Sequence, residues 1–183
     1  MKKSIFLFST VAILSAMQSC DNKKQNYLSS GNAKSDNNDI EGAIADYTKA
    51  IAQNSSADTA YYSRGKAYKV KGDVEKAMAD YSKAIEVNPK YEAALMTRAA
   101  EYSTAMKYQE SISDYSKVIE LNPENGRAWL SRGVVYYVTK QPEKACTDWK
   151  KASELKEDEA DDLLIENCSE GVTEKIPSEN THK

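Results

Sequence analysis

The sequence predicts an all-α chain, a solenoid of four helix-turn-helix units closed by a C-terminal capping helix. Three observations predict it. The 183 residues repeat at a step of 34: Tyr27, Tyr61, Leu95 and Trp129 share one column, and Gly31, Gly65, Ala99 and Gly133 share another. The same step links Ala43, Ala77, Ser111 and Ala145, then Tyr47, Tyr81, Tyr115 and Trp149, then Ala50, Ala84, Val118 and Ala152. Within each unit, apolar residues recur three and four apart, the spacing of one helix face. Finally, 7 Gly and 4 Pro are too few for the turns of an all-β protein.

The first residues are of different material. Met1, Lys2 and Lys3 make a positive start, and the run from Ile5 to Met17 is uncharged and mostly apolar. A bilayer span needs about 20 such residues, so the shorter run fits a secretory signal peptide over residues 1–19. Met17-Gln18-Ser19-Cys20 resembles the bacterial lipobox, although Met17 and Gln18 depart from its commonest form. That resemblance implies that Cys20 is acylated and opens the mature chain, with residues 20–23 as a short linker. It also implies a lipid-anchored protein of the bacterial cell envelope, facing the periplasm or the exterior.

The repeats follow at 24–57, 58–91, 92–125 and 126–159. In the second, Tyr61, Arg64, Gly65 and Tyr68 fall on one face of a first helix. Gly72 supplies its stop and Asp73 caps the helix that follows. Ala77, Met78, Tyr81, Ala84, Ile85 and Val87 form the second helix's apolar stripe, which Asn88-Pro89 ends. Aromatic residues stand opposite small ones, so paired helices approach closely and still fill the space between them. In the first unit Lys34 replaces the aromatic found at Tyr68, and Ser55 stands where Pro89 stands; in the fourth, Pro142 opens the second helix, where Pro is tolerated. Residues 160–168, with Leu163, Leu164 and Ile165, read as the capping helix over the exposed end, and 169–183 as a disordered tail.

The pattern Tyr61-x2-Arg64-Gly65-x2-Tyr68, Ala77-x3-Tyr81-x2-Ala84, Asn88-Pro89 resembles the tetratricopeptide repeat. The resemblance implies a right-handed solenoid whose first helices line a concave groove that holds a peptide or protein segment. By position in the repeat, the groove receives Leu28 and Asn32; Tyr62, Lys66 and Lys69; Met96, Ala100 and Ser103; and Leu130, Val134 and Tyr137. Chaperone-binding members grip a C-terminal carboxylate with Lys and Asn residues, but the equivalents of Lys66 here are Asn32, Ala100 and Val134. The groove suits an extended or helical partner segment bound by apolar contact. A cytosolic co-chaperone-like adaptor is the alternative if the N-terminal signal is not used. Together with the lipobox, the architecture looks like bacterial lipoproteins that assist outer-membrane protein or pilus assembly.

Charge and composition narrow the chemistry. Lys and Arg number 25 against 28 Asp and Glu, a net charge of −3 with no basic field for nucleic acid. The single His, His182, lies next to the C-terminal residue, and no nucleophile-base pair or metal-ligand cluster is found. The expectation is a protein without enzymatic activity, cofactor, metal or small-molecule substrate. Trp129 and Trp149 belong to core columns, and the acids around Glu157 offset the positive end of a helix dipole. Two pairings are expected. Asp46, Asp80 and Asp114 pair with Arg64, Arg98 and Arg132 of the following repeat. Cys146 and Cys168 lie at the same level of an antiparallel helix pair, facing one seam, and form a disulfide in an extracytoplasmic compartment.

Overall fold

A computed structural model describes residues 27–54 and 57–168. The signal peptide, Cys20, the linker, Ser55, the tail and His182 lie outside them. The described residues are helical and contain no strand: α1 (27–36), α2 (Ile40–Gln53), α3 (Asp58–Lys71), α4 (Val74–Val87), α5 (Glu92–Thr104), α6 (Tyr108–Leu121), α7 (Gly126–Val138), α8 (Pro142–Glu154) and α9 (Asp158–Asn167). Two compact units divide the chain between Ala94 and Leu95, in the first turn of α5.

Local chemistry sets the helix ends. Asp39, Asp73 and Asn125 cap α2, α4 and α7, their side chains accepting the backbone N–H of Gly42, Lys76 and Ala128. Each first helix then turns into its partner through one left-handed residue. Asn38 (φ 61°), Gly72 (φ 88°), Met106 (φ 59°) and Lys140 (φ 60°) occupy that place, 34 residues apart. Asn and Gly enter this region readily, whereas a side chain such as that of Met costs about 1–2 kcal/mol there. The second helices α4 and α6 end at Asn88 and Asn122, before Pro89 and Pro123.

In the first unit, Ala43, Tyr47 and Ala67 form a buried cluster joined by Leu28, Ile40 and Ile44. The decisive contact in each helix pair is an aromatic ring lying on a small residue. A methyl group on Gly31 or Gly65 would come within 2.6 Å of Tyr47 or 2.7 Å of Tyr81. In the second unit Tyr115 packs on Ala99, and Trp149 lies where a methyl on Gly133 would come within 2.6 Å. The column of small residues thus sets how closely the two helices pack.

The residue before each ring is a buried aspartate, and the residue before each small one is its partner. Arg64 donates to Asp80 through Nε at 2.7 Å and Nη2 at 2.8 Å. Arg98 holds Asp114 and Arg132 holds Asp148 in the same two-pronged way. The expected ladder between successive repeats is therefore corrected: the ion pairs close within a helix pair, because the ring-on-glycine contact fixes the level at which the neighbouring side chains meet. What crosses from one pair to the next is a neutral acceptor. Arg64 Nη1 donates to Thr48 at 3.1 Å, and Arg132 Nη1 donates to Ser116 at 2.8 Å. The guanidinium groups also lie over aromatic rings, Arg64 against Tyr61 and Tyr68, Arg132 against Trp129 and Tyr136.

The first repeat solves the same problem differently. Ser30 stands in the arginine column and donates to Asp46 at 2.6 Å, while Lys34, one turn further on, reaches it at 2.7 Å. The lysine that replaces the aromatic of Tyr68 thus supplies the cation that Ser30 lacks. Its hydrogen bond, followed by that of Ser30, holds the Asp46 carboxyl well below the ordinary aspartate range.

At the other end, Leu130, Ala145, Trp149, Ala152 and Ala160 make a core against which Leu163, Leu164 and Cys168 pack. Cys146 and Cys168 are joined by a disulfide with Cα atoms 5.7 Å apart, closing a separation of 22 residues. On the chain-entropy account such a closure contributes about 3 kcal/mol. Helix α9 begins at Asp158, two residues earlier than the sequence suggested, after the left-handed Lys156 turns the chain. Ile165 does not share the buried face: it is 71% exposed, since three successive residues on a helix cannot all point one way.

Two stability predictions follow from the turns and from Asp46. Met106→Gly relieves the left-handed turn and, after the entropy cost of glycine, raises stability by about 0.5–1 kcal/mol; urea denaturation showing a loss would refute the strain. A depressed carboxylate contributes its full stability above the ordinary aspartate value of about 3.9 and loses it as pH falls through the lower folded value. Lys34→Met therefore weakens the protein near neutrality and flattens its acid limb. Identical stability–pH curves for the two proteins, measured by denaturation from about pH 7 to about pH 2, would show that Lys34 does not hold the carboxylate.

Candidate functional site

The first-helix faces separate into two kinds of surface. In the first unit Leu28, Asn32, Tyr62 and Lys66, four of the expected groove residues, are engaged within the fold. The Tyr62 ring lies 5.2 Å from that of Tyr91 and 5.9 Å from that of Tyr81, and Lys66 Nζ sits 5.0 Å from its centroid. Asn32 accepts the Tyr47 hydroxyl at 2.9 Å, Leu28 packs on the Ala43 cluster, and Lys69 is exposed.

The second unit carries a hollow of about 210 Å³. It brings together Ala100, Ser103, Leu130 and Val134, four residues that the repeat position assigns to the groove. Helix periodicity places them: Arg127, Leu130, Ser131 and Val134 fall at i, i+3, i+4 and i+7 on α7, and Ala100 and Ser103 at i and i+3 on α5. Leu130 is only 3% exposed, so it is the floor and part of the core, not an exposed grip. Val135 and Tyr115 complete the floor, while Val134, at 40% exposure, stands on the rim. Along α7 the apolar surface continues through Tyr137 and Val138, 47% and 53% exposed. Met96 packs with Tyr108 and Ile112 on the Ala99 cluster.

Five lining residues escape the sequence reading: Tyr115, Arg127, Ser131, Val135 and Glu159. Burial pushes the Tyr115 phenol up, against the opposing effect of its hydrogen bond with Ser131. Tyr47 is related to Ser63 in the same way in the first unit. Ser29, Ser63, Thr97 and Ser131 form a hydroxyl column at the repeat step, a signal that was available. Sixteen residues beyond Trp149 stands Ile165, and the buried indole N–H finds no acceptor among the described residues. Glu159 carries no such signal, because it enters from the first turn of α9. Among the described residues no group of three or more His, Cys, Asp or Glu is placed to hold a metal ion.

Repeat models recognise this arrangement. The tetratricopeptide repeat is matched over residues 31–72, over 59–91 and, as a longer match, over 96–159. The chain carries tetratricopeptide repeats. Among solved structures, MamA is 24% identical with a TM-score of 0.69, the match covering 80% of this chain and 86% of that one. PilF of Pseudomonas aeruginosa is 20% identical with a TM-score of 0.70, over 81% of this chain and 70% of that one. The first tetratricopeptide domain of Spaghetti (RPAP3), bound to an HSP90 peptide, is 24% identical with a TM-score of 0.61, over 65% of this chain and 94% of that one. At these identities the likeness is one of fold. No curated protein matches the chain in sequence. Tetratricopeptide repeats of this kind are scaffolds for protein–protein interaction.

Proposed function

We propose that this chain is a non-enzymatic scaffold, tethered to a membrane of the bacterial cell envelope through lipid on Cys20, that holds a peptide or protein segment during assembly of an envelope complex. The hollow on α5 and α7 carries the reading. A concave surface with an apolar floor, continued by the exposed Val134, Tyr137 and Val138, suits a partner segment laid along the first helices. Its volume falls short of the roughly 300–1,000 Å³ usual for small-molecule sites. The apolar run of residues 5–17 before Cys20 supports export, and so does the Cys146–Cys168 disulfide, which an oxidising compartment favours.

Two measurements test the two halves of this reading. A photo-crosslinking residue at Tyr137 yields a discrete adduct in cells of the native host, whereas one at exposed Lys150 on α8 does not; equal labelling at both would remove the groove from the account. Cys20→Ala moves the protein from the membrane fraction to the soluble fraction, and a variant that stays membrane-bound would remove the lipid anchor.

A further inference from the structure

Resting on the reading of the hollow as a segment-binding site, we infer that it selects its partner by charge: a short apolar stretch carrying a carboxylate toward Arg127 and an ammonium or guanidinium group toward Glu159. Both residues line the hollow, and both are exposed. Neither forms an ion pair with the other or with another described residue, so each exposed charge is open to solvent at the hollow. Elsewhere the second unit pairs its arginines: Arg98 and Arg132 are both held by buried aspartates. Arg127, on α7, is the exception: it forms no ion pair with any described residue.

Most of the remaining lining is apolar or small. Ala100 adds no bulk, Leu130 and Val135 are buried, and Val134 rises on the rim. About 210 Å³ accommodates one or two aliphatic side chains, and Ser103 and Ser131 offer hydroxyls beside them. The two charges come from different elements, Arg127 from the first turn of α7 and Glu159 from the first turn of α9. No ion pair joins them, so both remain open to an occupant, and an occupant bearing both signs meets them favourably in one direction only. A uniformly acidic or uniformly basic segment would meet a like charge at one end, which disfavours it.

Blocked heptapeptides titrated into the full chain by nuclear magnetic resonance or calorimetry test this. All have a central leucine; one set carries an acid before it and a base after it, one the reverse order, and one no charge. One charged order is expected to bind about tenfold tighter than the uncharged peptide, the summed effect of two rim ion pairs. Arg127→Glu and Glu159→Lys each remove most of that advantage, and the double reversal transfers the preference to the opposite order. Equal affinity for charged and uncharged peptides would overturn the charge selection while leaving an apolar groove. Absence of binding by every peptide, together with no Tyr137 crosslink in cells, would overturn the groove reading itself; absence of peptide binding with the crosslink retained would overturn the proposed peptide chemistry. Since both positions are exposed, thermal melts of the three variants unchanged from wild type show that any loss lies in recognition.

Discussion

A ring resting on a residue with little or no side chain is the contact on which the rest of the structure depends. Tyr47 on Gly31, Tyr81 on Gly65, Tyr115 on Ala99 and Trp149 on Gly133 each fix the distance and level of two helices at once. Once that level is fixed, the preceding residues have no choice of partner. Asp80, Asp114 and Asp148 arrive beside Arg64, Arg98 and Arg132 already desolvated. Removing one member would strand a buried charge, a far larger penalty than the modest net worth of the pair itself. The aromatic contact supplies the packing, and the ion pair makes alternative levels unfavourable.

Much of this was legible in the sequence. The step of 34, the stop at Gly72, the cap at Asp73 and the breaks at Asn88 and Asn122 are local chemistry, and local chemistry reads directly from residue order. The partner of Asp80 was not legible in the same way. Counting residues places an aspartate of a second helix at a similar level to two arginines, one sixteen residues before it and one eighteen after it. Only the depth of the ring–glycine contact decides between them. The exchange in the first repeat shows how far closer reading would have gone: Ser30 and Lys34 both depart from their columns, and together they restore one cation to Asp46.

The hollow was half legible for a related reason. Ala100, Ser103, Leu130 and Val134 follow from helix phase and repeat position, which are periodic properties. Whether a side chain in that phase is floor or rim depends on what packs behind it, and Leu130 turns inward against Trp149 and Ala152. Glu159 depends on where a non-repeating helix comes to rest, and no periodic argument reaches it. Likewise phase and repeat position assign Tyr62 to the groove, while the structure uses it to gather Tyr81 and Tyr91.

Helix α9 has one more consequence. Each helix pair in an array leaves an apolar flank that the next pair covers, and such a flank left bare is an invitation to polymerise. Here Leu163 and Leu164 occupy the flank left by α8, and a covalent bond from Cys168 to Cys146 keeps them there. A second copy would find that flank of α8 already covered. The cap thus does two things at this end of the described residues: it adds stability, and it leaves the α8 flank closed to end-to-end stacking.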